Sequence, residues 1–139
     1  MKDVLIKIKS TQGLGEQKEK IELDTLGKLK VEEGAVSLSY DESELFGAKV
    51  KTLLTVGENT AVMERTGEYK SKLVIKKGER NNCFYSTPHG ELVIGIFGEE
   101  IKSRFGDRGG EIYLAYTLDS NLQPISKNTV EITVRKAEM

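Results

Sequence analysis

The chain's only cysteine and only histidine lie close together, in the stretch CFYSTPHG at residues 83–90. Such a pair suggests nucleophilic catalysis, because an imidazole can take the thiol proton and leave a reactive thiolate. Thr-Pro-His-Gly, however, is typical of a turn, with proline at the first corner and glycine at a left-handed position. Cys83 then lies roughly 13 Å back along an extended strand, beyond hydrogen-bond reach of His89. We therefore interpret Cys83 as a small core residue and His89 as a solvated turn residue.

A second group that could do chemistry centres on Arg65, in the segment AVMERTG. Strand alternation places Arg65 and Met63 on one face and Glu64 on the other, so a charge lies on whichever face is inner. The preferred interpretation ends the strand at Met63 and lets both charges reach water at the rim of the fold. The alternative is an inward Arg65, which needs a partner such as Glu42 or a tyrosine because a buried guanidinium is costly alone.

In that alternative, Arg65 holds the anionic head group of a ligand, and tyrosine hydroxyls add hydrogen bonds. The candidate ligand-binding residues are Arg65, Tyr40, Glu42, Tyr85 and Tyr116. Tyrosine, Arg65 and Glu42 or Glu64 could also serve acid/base catalysis, but no nucleophile, base and orienting group can be named together. We expect a protein that is not an enzyme. No catalytic residue and no cofactor are expected. No metal site is expected either, because no His, Cys or carboxylate cluster has ligand spacing.

Composition restricts the partners of the chain. Its 139 residues carry 21 Lys and Arg against 22 Asp and Glu, so no net field attracts a nucleic acid or an anionic membrane. The sequence lacks both the apolar core of a signal peptide and an apolar run of spanning length. One cysteine cannot form an internal disulfide. We expect a cytoplasmic protein that binds neither nucleic acid nor membrane.

Period-two alternation dominates the chain and predicts half-buried strands. The sets that share a face are Val4, Ile6 and Ile8; Ile21 and Leu23; Val36, Leu38 and Tyr40; Val50, Thr52, Leu54 and Val56; Ile112, Leu114, Tyr116 and Leu118; and Val130, Ile132 and Val134. Turn sequences separate them: GLGEQ, EEGA, GENT, KKGERNN, TPHG, GDRGG and LDSNLQP. Helix is expected only as a short element in DESELFG or EEIKSRFG.

The predicted fold is all-β, a single domain over residues 1–139 built as an antiparallel up-and-down meander. About nine or ten strands joined by hairpins would leave an open sheet with two unpaired edges, which invite aggregation. Closing the sheet removes them. We therefore favour a barrel, although the same alternation allows a two-sheet sandwich.

The hairpin at the opening motif has two possible registers. A bulge at Gly90 pairs Tyr85 with Val93, whereas a two-residue loop pairs Tyr85 with Leu92. We favour the bulge, because proline cannot take the positive φ that the usual two-residue turn requires. In both registers apolar side chains cover both faces of the hairpin: Phe84, Tyr85, Val93, Ile94, Ile96 and Phe97. The outer ones need cover from a loop, a helix or another subunit.

Three motifs together resemble the YwiB-like family of uncharacterised bacterial proteins. They are Tyr40-Asp41-Glu42-Ser43, Glu64-Arg65-Thr66-Gly67 and Tyr85-Ser86-Thr87-Pro88-His89-Gly90. The resemblance spans nearly the whole chain, and none of the motifs is catalytic in the family. It implies a calycin-like barrel, similar to lipocalins and fatty-acid-binding proteins, and no activity.

Two functions are consistent with such a barrel. The first is binding of a small, partly apolar ligand in the barrel interior or mouth, as the fold analogy suggests. The alternative is a barrel filled with side chains whose outer apolar strip, around Phe84 and Phe97, docks another protein or a second copy of the chain as a homodimer.

Overall fold

The computed structural model describes residues 2–43, 47–68, 70–87 and 90–137, without the side chains of residues 85–87. The strands are β1 (Lys2–Leu14), β2 (Gln17–Glu32), β3 (Ala35–Asp41), β4 (Val50–Val56), β5 (Thr60–Gly67), β6 (Lys70–Lys76), β7 (Arg80–Thr87), β8 (Gly90–Gly106), β9 (Gly109–Ser120) and β10 (Gln123–Lys136). Each strand pairs with its neighbours in the chain, and β1 pairs with β10 to close the barrel. The up-and-down barrel is confirmed, and the sandwich is excluded.

The predicted alternation determines which side chains face inward. In β1, Val4, Ile6 and Ile8 are buried, while Leu5 and Lys7 between them are exposed. The other strands follow the same rule, because successive side chains of a strand point to opposite faces of a sheet. The apolar core is therefore the barrel interior.

The two ends of the barrel differ in their connections. Because all neighbouring strands are antiparallel, the hairpins β1–β2, β3–β4, β5–β6, β7–β8 and β9–β10 lie at one end, which we call the mouth. The remaining hairpins and the first residues of β1 lie at the other end, the base. Residues 83–87 of the stretch CFYSTPHG run toward the mouth, and Pro88 and His89 lie outside the described residues.

One helix prediction is wrong. The segment EEIKSRFG belongs to β8, where Ile101 pairs with Leu114 and Phe105 with Gly110. A register shift between Gly98 and Glu100 breaks the period-two pattern there, which hides the strand in the sequence. The short helix predicted in DESELFG stays a prediction, because residues 44–46 lie outside the described part of the chain. In the part of this segment that is described, the Gly47 N–H donates to the Ser43 carbonyl at 2.9 Å.

The bulge predicted for the β7–β8 hairpin is also wrong. Thr87 pairs with Gly90 and Cys83 with Ile94, which leaves a two-residue loop and pairs Tyr85 with Leu92. Cross-strand partners share a face, so this register puts buried Cys83 opposite inward Ile94. A slip of one residue would instead place outward Phe84, which is 63% exposed, opposite Ile94. Burial of the inner face therefore overrides the turn preference of proline.

The barrel wall is split between β6 and β7. These strands pair only from Lys70 to Lys72, and past that point side chains replace the backbone ladder. The Val74 N–H donates to Cys83 Sγ at 3.3 Å, and Asn81 Nδ2 donates to the Val74 carbonyl at 2.7 Å. We call this gap, between residues 73–76 and 80–83, the seam. Cys83 is only 3% exposed, so its interpretation as a core residue is confirmed.

Candidate binding site at the mouth of the barrel

An ion pair lies inside the barrel near its mouth. Strand β5 continues past Met63, because Arg65 pairs with Thr52 on β4 and with Ser71 on β6. Alternation therefore turns Arg65 inward, and the interpretation that its charge reaches water at the rim is wrong. Arg65 Nε lies 3.0 Å from Glu42 Oε1, with side chains only 18% and 7% exposed respectively. The inward alternative, with Glu42 as the partner, is confirmed.

Local structure fixes Glu42 in place. It follows the last residue of β3, and its backbone N–H donates to the Val50 carbonyl at 2.9 Å. The Thr52 hydroxyl also hydrogen-bonds to Glu42 Oε1, the oxygen that accepts from Arg65. One carboxylate oxygen thus joins β4 to β5 inside the barrel.

Thr52 was not among the residues singled out as candidates from the sequence. It is 1% exposed, and alternation already places it on the inward face with Val50 and Leu54. A hydroxyl at an inward position of a strand is the signal that could have found it, because a buried polar group requires a partner.

Two tyrosines lie beside the ion pair. Tyr40 and Tyr116 are 5% and 8% exposed. Burial raises the pKa of Tyr40, and the Glu42 carboxylate raises it further, while Arg65 opposes the change. Burial also raises the pKa of Tyr116, against the influence of Arg65. Both hydroxyls are therefore protonated at neutral pH and can donate as well as accept hydrogen bonds.

Polar residues continue onto β10. Asn128 and Ser126 are 7% and 4% exposed, and Asn128 Nδ2 donates to Ser126 Oγ at 3.0 Å. Asn128 pairs in register with Tyr116, so β10 adds an amide next to the tyrosine. Sequence reasoning missed both residues, although Asn128 shares the alternation of Val130 and Ile132.

These residues surround one cavity of about 300 Å³. Its lining is Ser10, Thr11, Gln12, Ile21, Tyr40, Glu42, Met63, Arg65, Leu73, Tyr116, Leu118, Asn128, Thr129 and Val130. Four of the five candidate residues are thus brought together. For the fifth, Tyr85, the backbone pairs with Ser71, the partner of Arg65, and its side chain lies outside the described part. The cavity offers hydrogen-bonding groups beside an apolar wall, an arrangement that suits a small organic molecule.

A larger hollow of about 880 Å³ lies toward the base, but it is a groove lined mostly by exposed residues, such as Val31, Glu58 and Arg104. It lacks convergent buried polar groups, so we do not regard it as the site. Within the described ranges, no group of three or more His, Cys, Asp or Glu could hold a metal ion. In the same ranges no helix has the length and apolarity that a membrane crossing requires.

Residues 6–132 match the family model described as a domain of unknown function, DUF1934. The chain belongs to this family. It is 32% identical over 100 residues to the uncharacterized beta-barrel protein YwiB of Bacillus subtilis strain 168, a match that covers 72% of this chain and 70% of YwiB. The crystal structure of the YwiB protein from Bacillus subtilis is similar with a TM-score of 0.86 and 26% identity, over 99% of this chain and 93% of that one.

Membership of the DUF1934 family confirms the resemblance inferred from the three sequence motifs. The YwiB structure confirms the barrel fold over nearly the whole length of both chains. The description of YwiB names a fold and no activity. A proposed function for this chain therefore has to rest on the chemistry of the mouth cavity.

Proposed function

We propose that the protein is a cytoplasmic binding protein of the calycin type that holds a small, partly apolar molecule in the mouth cavity, without catalysing a reaction. The observation that carries the proposal is the Glu42–Arg65 pair facing the 300 Å³ cavity. A buried ion pair costs so much desolvation that an apolar pair of similar volume is often at least as stable. Its presence beside the cavity is therefore better explained by a polar binding site than by a contribution to folding.

The interior below the cavity supports this proposal. Toward the base the barrel is filled by side chains that are almost completely buried, among them Leu38, Leu54 and Leu114. A molecule entering from the mouth meets Met63 and Leu73 as an apolar wall of the cavity. The polar groups of the site then contact the head of the molecule, and the apolar wall contacts its body.

The test measures binding of the neutral dye N-phenyl-1-naphthylamine and, by native mass spectrometry, any molecule retained on purification. We expect a retained mass or saturable binding of one dye per chain. Leu118→Trp, which fills the cavity, should weaken dye binding about ten-fold or more by removing the space for it. The control, Leu26→Trp, adds the same ring at a side chain that is 67% exposed on the outer surface. Equal dye binding by both variants, or a wild-type protein with neither a retained mass nor dye binding, would contradict the proposal.

A second candidate function, formation of a homodimer, is favoured by one feature of the outer surface. The outward residues Leu53, Glu64, Lys72, Phe84 and Val93 are successive cross-strand partners on β4 to β8 and form one row. The three apolar members are 42–63% exposed. A two-fold axis between Glu64 and Lys72 would place Glu64 of one copy opposite Lys72 of the other. The same axis would place Leu53 of one copy opposite Phe84 of the other.

Sedimentation equilibrium tests the homodimer. We expect a concentration-dependent dimer that weakens in Glu64→Lys and in Lys72→Glu, because each change puts like charges together. The double variant, Glu64→Lys with Lys72→Glu, should restore it. Phe84→Glu should abolish it, and Leu26→Glu is the matched control on another part of the surface. A monomer at all concentrations would exclude the dimer and leave the cavity proposal unaffected.

A further inference from the structure

We infer that the molecule bound in the mouth cavity has a polar head group without net charge, such as a hydroxyl or an amide, rather than a carboxylate or an amine. The inference rests on the proposed function and specifies its ligand. It also replaces the anionic head group expected from the sequence, because the structure gives Arg65 a carboxylate partner from the chain itself.

An anionic head group is opposed by the position of Glu42. Arg65 Nε and the Thr52 hydroxyl both bond to Glu42 Oε1, so the carboxylate lies against the guanidinium. An anion close enough to Arg65 to be attracted is also close to Glu42 and repelled by it. The two Coulomb terms nearly cancel, and the anion still loses its hydration on entry.

A cationic head group meets the opposite problem. It would be attracted by Glu42 and repelled by Arg65, and it too would lose hydration. Among the described residues that line the cavity, these two are the only charged ones. The lining therefore has no net charge that could compensate either ion.

The other polar groups of the cavity suit an uncharged head. Tyr40, Tyr116 and Asn128 line it together with hydroxyl and amide side chains from β1. Both tyrosines are protonated at neutral pH, so each hydroxyl can donate to one atom and accept from another. Such groups satisfy a hydroxyl or an amide in full, whereas they only partly replace the water around an ion.

The test uses four ligands with the same eight-carbon chain: octan-1-ol, octanamide, octanoate and octylammonium. Each competes at pH 7 with N-phenyl-1-naphthylamine bound to the wild-type protein. We expect the alcohol and the amide to displace the dye at concentrations about ten-fold lower than either ion requires. Tighter displacement by octanoate than by octan-1-ol would overturn the inference while leaving the proposed function intact.

Variants of Glu42 and Arg65 test whether these two charges select the head group, or whether uncharged ligands bind more tightly only because they are more apolar. Glu42→Gln leaves Arg65 without its carboxylate partner, and we expect octanoate to bind about ten-fold more tightly while octan-1-ol changes little. Arg65→Gln leaves the Glu42 carboxylate without its guanidinium, and we expect octylammonium to bind about ten-fold more tightly while octan-1-ol changes little. The double variant, Glu42→Gln with Arg65→Gln, removes both buried charges and should still bind octan-1-ol and octanamide more tightly than octanoate and octylammonium. This variant also tests the inference if a single variant does not fold.

Unchanged affinities for octanoate and octylammonium in the folded single variants would show that these charges do not select the ligand, and would overturn the inference. Failure of every ligand and of the dye to bind the wild type would instead overturn the proposed function. The two failures are therefore distinguishable in one series of titrations.

Discussion

The base half and the mouth half of the barrel interior are built by the same strands but filled with different chemistry. Strand β3 places Leu38 toward the base and Tyr40 toward the mouth, and β9 does the same with Leu114 and Tyr116. In each case one step of the inward alternation separates a fully buried leucine from a polar side chain. Alternation therefore determines that a position is interior, and the residue type determines how the interior is used.

The two halves should also differ in what they contribute. Apolar burial in the base half stabilises the fold in proportion to the area removed from water. The ion pair in the mouth half adds little net stability, because its attraction is offset by desolvation. Substitutions that separate stability from ligand binding can test this contrast.

The largest effect is expected in the base half. Leu114→Ala should lower the free energy of unfolding by about 3 kcal/mol, because a fully buried leucine leaves a cavity that the rigid barrel fills poorly. Tyr116→Phe, two positions along the same strand, should cost less than about 1 kcal/mol, since only a hydroxyl is lost. Urea titrations of the two variants provide the measurement. Equal losses would mean that the halves do not differ in their contribution to stability.

The next effect concerns the ion pair. Arg65→Leu should destabilise the barrel by about 2 kcal/mol, because it leaves a carboxylate in the interior without its cation, although the pair is not completely enclosed. Adding Glu42→Leu to that variant should recover most of the loss. Thermal or urea unfolding measures both. A double variant as unstable as the single one would show that the pair contributes to folding directly.

A smaller effect is expected in alkaline solution. Burial raises the pKa of Tyr40 above the usual value, which is about 10. The unfolded chain therefore releases this proton first as pH rises, so the free energy of unfolding decreases above pH 10. At pH 11, Tyr40→Phe should remove roughly 1 kcal/mol of that decrease. Urea titrations at pH 8 and pH 11 test this, and an unchanged alkaline loss in the variant would contradict it.

The smallest effect is expected at the seam, which belongs to the wall rather than to either half. Asn81→Ala removes the donor to the Val74 carbonyl and should cost about 0.5 kcal/mol. Buried Cys83 should also react faster with a thiol reagent, since the gap between β6 and β7 is then less well closed. Asn82→Ala, at the neighbouring exposed position, is the control. Equal labelling rates in the two variants would show that the Asn81 side chain does not hold the seam.

Most of the fold could be predicted from the sequence, because period two directly reports which residues of a strand face inward. Val4, Leu38 and Val134 lie where alternation places them. Two features were mispredicted for physical reasons. The shift at Gly98 and Glu100 interrupts the period, and the register of Cys83 is decided by burial of a whole face rather than by the turn residues.

The candidate site could be predicted only in part. Alternation named Arg65 and its partner Glu42, but it did not determine where β5 ends, since that depends on ladder bonds to both neighbouring strands. Thr52 on β4 and Asn128 on β10 were missed because alternation shows which face of a strand a residue lies on, but not which residues of distant strands belong to one site. Barrel closure brings Asn128 on β10 into the lining of the cavity that Glu42, the hydrogen-bond partner of Thr52, also lines.

That closure also has a consequence for folding. Ile6 pairs with Val134 and Ile8 with Ile132, so strands near opposite ends of the chain must meet before the barrel is complete. During synthesis on the ribosome, β1 is made before β10. Until β10 has been made, β1 and β9 each have an unpaired edge. Contacts so distant in sequence make folding slow. A chain truncated before β10 should therefore aggregate, however stable the finished barrel is.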